Sequence, residues 1–531
     1  MPFQLVHGGA IAIKLREFEV EHGFIKDHYG SRTTTIGIDI SIFLDSFYAA
    51  DMAVKQMHAN TSALSQLFKF LCFLSQAGVH CIFVYDGKDR AKLKRGRRVI
   101  TREPSHYTQS KVLIEAFGFY AHTAPGEADA ELADMCKRGL IYAVLTKDSD
   151  LLTFGAPRIL RPVHLDHKPR TFKDFEQVLM YSAENLQSEL EISHAGLVLI
   201  SLFLKSDFGD GVNGIGPESA AGLAKCGYGD KLLDAYYSFS TMPSQLAEAF
   251  AKINDSMAKE LEFNTHQKLK SCSVHRANVL RASQFPSLRD LAALSTFLEP
   301  VTSWTRYLDP SKAPTAANWP PRIPNLNEIT AFCCDILGWP SDTVLRRFHS
   351  DLWPAIFKFL RFRKENNEIL VPRLQREFDR DKQGNSYAPM LSTIVHNKKS
   401  LKFRGMGIQD TISVTVTTEF FLKVTGIGHG NRSAELTRRV DIPAAMIAVA
   451  LQQMDEISGL REKIGTAPSY QVHVAREDSM YNEPSGSHQQ HNPLNHAIST
   501  SSIVGMKRIR RLQPVLKDLG QIELTDSDSE E

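Results

Sequence analysis

The chain has 531 residues, enough for about three or four domains and a large buried core. Its 62 Lys and Arg against 60 Asp and Glu leave a formal charge of +2, which excludes nucleic-acid binding by bulk charge alone. At 43% hydrophobic and 23% charged residues, the composition also excludes disordered and collagen-like classes, leaving a packed enzyme or binding protein.

In chain order, residues 35–40 (TIGIDI), 80–85 (HCIFVY) and 141–145 (IYAVL) read as buried strands: short, rich in β-branched residues and not amphipathic. Between them, residues 60–77 and 128–138 carry apolar side chains at helical spacing. Strand, helix, strand in this rhythm predicts a parallel α/β sheet, whose ligands bind beyond the carboxyl ends of the strands. Residues 193–237 read as helices joined by a glycine-rich turn, and residues 240–370 as mainly helical with proline-rich breaks at 310–324. Strand composition returns at 411–418 (TISVTVTT) and 420–424, with a helix at 443–454, so a small mixed or β module is expected. The last 66 residues, rich in Ser, His, Asn and Gln, carry a net charge of −3 and read as a disordered tail.

Seven cysteines (Cys72, Cys81, Cys136, Cys226, Cys272, Cys333, Cys334) are scattered without a C-x-x-C pair, so neither a zinc ribbon nor a disulfide framework is indicated. They suggest buried thiols of a reducing compartment. The longest apolar run, residues 195–204, is half a membrane span, and no signal peptide is evident, so a soluble intracellular protein with no membrane partner is expected.

The acids fall where a parallel sheet converges. Asp39 ends the first strand, Asp86 follows the second, and Asp148 and Asp150 follow the third. Glu127 and Asp129 open a helix, and Asp207 lies just ahead of the glycine-rich turn. Taken singly, each is an ordinary helix cap or a first-turn acid favoured by the helix dipole. As a set they need another explanation, because carboxylates about 5 Å apart repel by on the order of 3 kcal/mol at an effective dielectric of about 20. Cations between them remove that cost. All-oxygen sites select hard ions such as Mg²⁺ or Mn²⁺, and two of these roughly 4 Å apart form the clamp used in phosphodiester hydrolysis. The residues by themselves therefore point to a metal-dependent nuclease.

Eight of the fifteen residues at 88–102 (KDRAKLKRGRRVITR) are Lys or Arg, directly after Asp86. Such a run is commonly a solvated face, but beside a carboxylate cluster it suits a scissile phosphate. The turn at 209–216 (GDGVNGIG) suits phosphate binding by backbone N–H groups, or is simply a tight turn.

Together, TIGIDIS, FVYDGK, APGEADAELA, LTKDSDLLTFG and SDFGDGVNGIGPESAAGLA, in this order and spacing, resemble the flap endonuclease and XPG family of structure-specific DNA nucleases. The resemblance covers residues 15–237. It implies a PIN-like parallel-sheet nuclease core, a helix-two-turn-helix DNA-binding element and two Mg²⁺ (or Mn²⁺) ions. By that resemblance Asp39, Asp86, Glu127 and Asp129 surround the first metal, and Asp148, Asp150 and Asp207 the second, with Asp129 between them. Lys94 matches the lysine that contacts the scissile phosphate, one residue further along than usual. The second basic residue falls among Arg97, Arg98 and Arg102, and Lys92 and Arg95 join the DNA-binding set. Gly214, Ile215 and Gly216 match the hairpin that holds duplex backbone, commonly with K⁺.

Only 41 residues separate Asp86 from Glu127, which excludes the long insert of the nucleotide-excision member and leaves little room for a tall helical arch. The stretches GLAKCGYGDKLL and LRRFHSDLWPAIFKFLR are similar to fungal Gen/Yen-type Holliday junction resolvases, in which a chromodomain-like module follows the core. The expected division is a nuclease core at 1–165, the helix-two-turn-helix and core-completing helices at 166–300, a C-terminal module at 301–465 and a tail at 466–531.

The family normally opens on Met-Gly with a G-L-W type motif, whereas this chain opens MPFQLVHGGAIAIK, implying either a gene-model departure or lowered activity. Ser206 and Phe208 replace the usual Gly and Tyr around Asp207. In the tail, KRIRR at 507–511 suits a nuclear localisation signal, and IELTDSDSEE at 522–531 resembles a SUMO-interacting motif. The expected activity is Mg²⁺-dependent cleavage of branched double-stranded DNA, at a 5′ flap or a Holliday junction, in the nucleus, with a dimer on four-way junctions. A nuclease-dead junction binder and a PIN-type RNase are the alternatives.

Overall fold

The computed structural model describes residues 3–26, 33–54, 63–90, 93–94, 97–98, 105–163, 176–206, 209–283, 285–306, 313–322, 324–352, 363–365, 368–370, 411–417 and 437–443. Its strands are β1 (Ala10–Lys14), β2 (Thr35–Asp39), β3 (His80–Tyr85), β4 (Leu93–Lys94), β5 (Arg97–Arg98), β6 (Tyr120–Thr123), β7 (Ala143–Leu145), β8 (Arg158–Pro162), β9 (Gln177–Ser182), β10 (Arg363–Glu365), β11 (Glu368–Leu370), β12 (Thr411–Thr417) and β13 (Thr437–Pro443). Its α-helices are α1 (Leu15–Phe18), α2 (Ile40–Val54), α3 (Ala63–Ala77), α4 (Ser105–Ala116), α5 (Ala128–Lys137), α6 (Asp150–Thr153), α7 (Ala183–Leu190), α8 (His194–Phe203), α9 (Pro217–Lys225), α10 (Tyr228–Phe239), α11 (Pro243–Phe263), α12 (Val274–Ala282), α13 (Leu288–Leu298), α14 (Ser303–Arg306), α15 (Leu326–Asp335) and α16 (Ser341–Arg347).

Seven strands form one sheet in the order β1-β9-β8-β7-β2-β3-β6. The pairs β2/β3, β2/β7, β3/β6 and β7/β8 are parallel, as the sequence pattern predicts. The outer pairs β8/β9 and β1/β9 are antiparallel, so the sheet is mostly, not wholly, parallel. From β2 the chain builds outward through β3 to β6, then returns to the other flank of β2 for β7 and β8. The order reverses between β2 and β7, and a crevice opens at the carboxyl ends of strands at such a point.

Side-chain alternation splits the core into two apolar layers. On β3, Cys81, Phe83 and Tyr85 pack with α2, α3, α4 and the later helix α15, while Ile82 and Val84 pack with α5, α8 and the helices after it. Every residue of β2 and β3 is buried, which is why these strands are apolar on both faces. Each fully buried Leu, Ile, Val or Phe here contributes about 1.5–3 kcal/mol. The apolar run at 195–204 is α8, a core helix with Ala195 to Phe203 all buried. Among the described residues no helix is long and apolar enough to cross a membrane. The described cysteines are all free, with Cys72, Cys81, Cys136 and Cys333 buried and Cys272 exposed.

The expected strand at 411–418 is β12, paired antiparallel with β13. Pro443 closes that second strand and does not open a helix as expected; the rest of the expected helix, the strand at 420–424 and the whole tail lie outside the described residues.

Residues 300–306 form a strap across the outside of α5. Glu131, fully buried, accepts hydrogen bonds from the Ser303 backbone N–H (2.8 Å) and hydroxyl (2.5 Å), and its Oε1 lies 2.8 Å from His122 Nε2. The Thr302 hydroxyl donates to Asp134 (2.7 Å), and the Arg138 guanidinium stacks 5.0 Å from the Trp304 ring. Arg306 pairs with Asp89 at 2.6 Å, so the strap reaches the loop after β3.

Candidate active site

Three helix N-termini meet at the reversal between β2 and β7, and an acid serves each. Asp39, the last residue of β2, accepts the Ser41 N–H of α2 at 2.9 Å. Asp86, after β3, reaches across to α5 and accepts the Ala128 N–H at 2.9 Å. Asp148, after β7, is held by its own N–H on the Thr146 hydroxyl (2.9 Å) and accepts the Asp150 N–H of α6 at 3.0 Å. The helix-cap reading and the cluster reading are therefore both satisfied by the same side chains. One carboxylate oxygen fixes each group to a positive helix end. Of the two acids expected in the first turn of α5, Asp129 lies there, whereas Glu127 occupies the N-cap and its side chain makes no capping bond.

Gly87 makes the Asp86 crossing possible. Its N–H donates to the Gly126 carbonyl at 2.7 Å, and the next loop residue bonded across is Asp89, whose N–H donates to the Pro125 carbonyl at 3.0 Å. A Cβ at Gly87 would sit 1.9 Å from the Ala124 carbonyl oxygen and 2.3 Å from that of Pro125. The DGK and APGE segments are thus laid backbone against backbone, which brings Asp86 to the start of α5.

Burial, then the neighbouring charges of Asp39, Asp148, Asp150 and Asp86, push the Asp129 carboxyl well above the usual range. Asp39 is pushed from 3.8 up to about 8 by burial first and by Asp86 next, against the opposing Ser41 N–H. Asp150 is 7% exposed. Asp129 Oδ1 is buried and has no hydrogen-bond partner among the described residues. A carboxylate set that is wholly or partly buried, mutually repelling and left with an unpaired oxygen fits hard divalent cations, which supply the missing positive charge.

The structure brings Asp39, Asp86, Asp129, Asp148 and Asp150 together. Asp207 lies outside the described residues; the loop around it is closed by Ser206 N–H on the Gly209 carbonyl (3.0 Å) and Gly209 N–H on the Ser206 hydroxyl (3.2 Å). Lys94 and Arg97 pair in the β4/β5 ladder, with Arg98 opposite Leu93. The side chains of these residues, and all of Lys92, Arg95 and Arg102, lie outside the described residues. Gly214 is exposed with φ +88°, Ile215 is buried against the core, and Gly216 occupies the N-cap of α9 ahead of Pro217.

Two site residues escape the sequence reading. Arg90 donates to Asp86 Oδ2 at 2.7 Å with both side chains less than a fifth exposed, so Asp86 is held between a guanidinium and a helix end. Arg90 lies in the basic run at 88–102, and the i, i+4 spacing in DGKDR is the signal that pairs it with Asp86. Tyr107, on α4, is buried with its hydroxyl by Ser41; burial, with Asp45, Asp86 and Asp39 adding to it, pushes the phenol up to about 12. Its ring lies 5.1 Å from Tyr85, whose hydroxyl is 2.8 Å from that of Ser110. No local motif marks it, because the nearest acids of the cluster, Glu127, Asp86 and Asp129, lie 20, 21 and 22 residues away on either side.

The acid-lined crevice at the switch point of a mostly parallel α/β sheet defines the candidate active site of this chain. Residues 118–207 match the family model of the XPG I-region. It is 26% identical over 231 residues to flap endonuclease 1 of Encephalitozoon cuniculi (strain GB-M1), covering 37% of this chain and 66% of that one. It is 38% identical over 128 residues to flap endonuclease 1 of Methanothermobacter thermautotrophicus, covering 24% and 37%. The chain thus spans about a third to two thirds of the length of these relatives. In structure it is similar to the eukaryotic junction-resolving enzyme GEN-1 (TM-score 0.60, 20% identity, 86% of this chain and 99% of that one). A second similar structure is the Holliday junction-resolving enzyme GEN1 with product DNA and Mg²⁺ (TM-score 0.58, 19% identity, 86% and 98%). The chain shares their fold.

Proposed function

We propose that the protein is a divalent-metal-dependent endonuclease that hydrolyses a phosphodiester in branched double-stranded DNA, at a 5′ flap or a four-way junction. The observation that carries this reading is the group of five aspartates gathered at the sheet reversal, Asp39 and Asp150 buried and the others partly so, with one oxygen of Asp129 unpaired. Asp39, Asp86, Glu127, Asp129, Asp148, Asp150 and Asp207 are the residues that would hold two Mg²⁺ or Mn²⁺ ions. Bound there, the ions supply neutralisation of phosphate charge and a lowered pKa for the attacking water. Arg90 and the α5 N-terminus hold Asp86 in orientation from two sides. The Ser41 and Asp150 N–H groups do the same for Asp39 and Asp148. Tyr107, beside Asp39 and Asp86, packs its ring 5.1 Å from Tyr85 on the α4 side of the acids.

Lys94, with Lys92, Arg95, Arg97, Arg98 and Arg102, holds the scissile phosphate and neighbouring backbone. The Gly214, Ile215 and Gly216 turn holds the duplex arm, with K⁺ as its ion. In this reading the nuclease core (1–165) and the helix-two-turn-helix part (166–300) act together on DNA. The 466–531 tail supplies SUMO binding and nuclear import, and two molecules act together on a four-way junction. Cleavage of flap, fork and four-way DNA under a Mg²⁺ titration is the test. Asp148→Ala and Asp86→Ala are expected to abolish product while binding persists. Full activity in either variant, or wild-type binding without product at every Mg²⁺ concentration, would sink it.

A further inference from the structure

At the end of α9 opposite the glycine-rich turn, three side chains of different chemistry converge. Cys226 follows the last turn of α9, Glu260 lies in the last turn of α11, and His266 sits in the loop after it. Their ligand atoms lie within 4.8 Å of one another. Glu260 is 2% exposed, and its two oxygens are turned on the loop: Oε1 accepts the His266 backbone N–H at 2.9 Å and Oε2 lies 2.7 Å from His266 Nδ1. The His266 side chain is 48% exposed, so one side of the group is open to solvent.

We infer that Cys226, Glu260 and His266 form a site for a borderline divalent cation of the Zn²⁺ class, with water in the fourth position. The set is one thiolate, one imidazole nitrogen and one carboxylate oxygen, which suits Zn²⁺ and is unlike the all-oxygen crevice that suits Mg²⁺. On binding, the Cys226 thiol releases its proton and the imidazole carries its remaining proton on Nε2, freeing Nδ1 for the ion. Without the ion, burial, followed by the Glu260 charge, pushes the Cys226 thiol up to about 11, so the metal-free site keeps its thiol protonated. The ion would join the ends of α9 and α11 to the loop that leads into Lys268 and Lys270. Those lysines already pair with Glu191 and Glu218, which brace this region against α7 and the start of α9.

Cobalt(II) added alone to the chelator-treated full-length protein tests the assignment, because only a thiolate ligand gives the near-ultraviolet sulfur-to-cobalt band and the acidic crevice has none. One equivalent of Co²⁺ should produce that band, and Zn²⁺ should bleach it. Cys226→Ser and His266→Gln should remove or weaken it while Cys272→Ser keeps it. A wild type without the band, or a band that survives in Cys226→Ser, would overturn the proposal. The near-isosteric serine variant, with unchanged far-ultraviolet dichroism and urea midpoint in chelator, keeps loss of the band distinct from loss of folding.

Discussion

Asp39→Asn separates charge from shape in the acidic crevice. The amide keeps an oxygen for the Ser41 N–H, so the hydrogen bond at 2.9 Å survives and only the titratable charge is lost. In the metal-free protein Asp39 is pushed from 3.8 to about 8, so between those values the folded chain holds a proton that the unfolded chain has released. Stability therefore falls as pH rises: it is fully present below about pH 4 and is lost progressively up to about pH 8. At about 1.36 kcal/mol for each pH unit between those two values, the loss is at most on the order of 5 kcal/mol. The asparagine variant has no such pH dependence at this position. Urea unfolding of both proteins in chelator at half-unit steps from about pH 4.5 to 8 should show the wild type losing ground steadily, ending less stable than the variant by several kcal/mol. Saturating Mg²⁺ should restore the wild type at the alkaline end and leave the variant nearly unmoved. A difference between the two proteins that does not change with pH would refute the reasoning.

Three other perturbations follow from the same geometry. Gly87→Ala places a methyl 1.9 Å from a carbonyl oxygen, so the loop must move; folding stability should drop by at least about 2 kcal/mol and cleavage should fall with it, and near-wild-type unfolding would contradict the packing. Glu131→Ala strips acceptors from the Ser303 N–H and hydroxyl and costs about 3 kcal/mol in urea titration, whereas a loss under about 0.5 kcal/mol would show that the strap is held elsewhere. Gly214→Ala forces a side chain to φ +88° with its Cβ 3.3 Å from Val279. It should cost about 1–2 kcal/mol and lower duplex affinity, and unchanged affinity would remove the turn from the DNA-binding surface.

The central strands and the identity of the acids are legible in the amino-acid sequence. Residues buried on both faces must be apolar throughout, so β2, β3 and β7 announce themselves. The acids follow those strands directly, so strand ends and carboxylates are located by the same reading. The outer strands β1, β6, β8 and β9 escape it because each carries partly exposed polar or charged positions, and Pro162 closes β8; their pairing partners, not their own residues, make them strands. The fold alone reveals that Asp86 caps a helix 42 residues away, that Arg90 and Tyr107 stand at the crevice, and that Cys226, Glu260 and His266 meet. The near balance of 62 basic and 60 acidic residues likewise conceals an acidic crevice and a basic segment. Charge adds along a chain without regard to place, whereas burial, repulsion and ligand geometry depend on distances that only the fold sets.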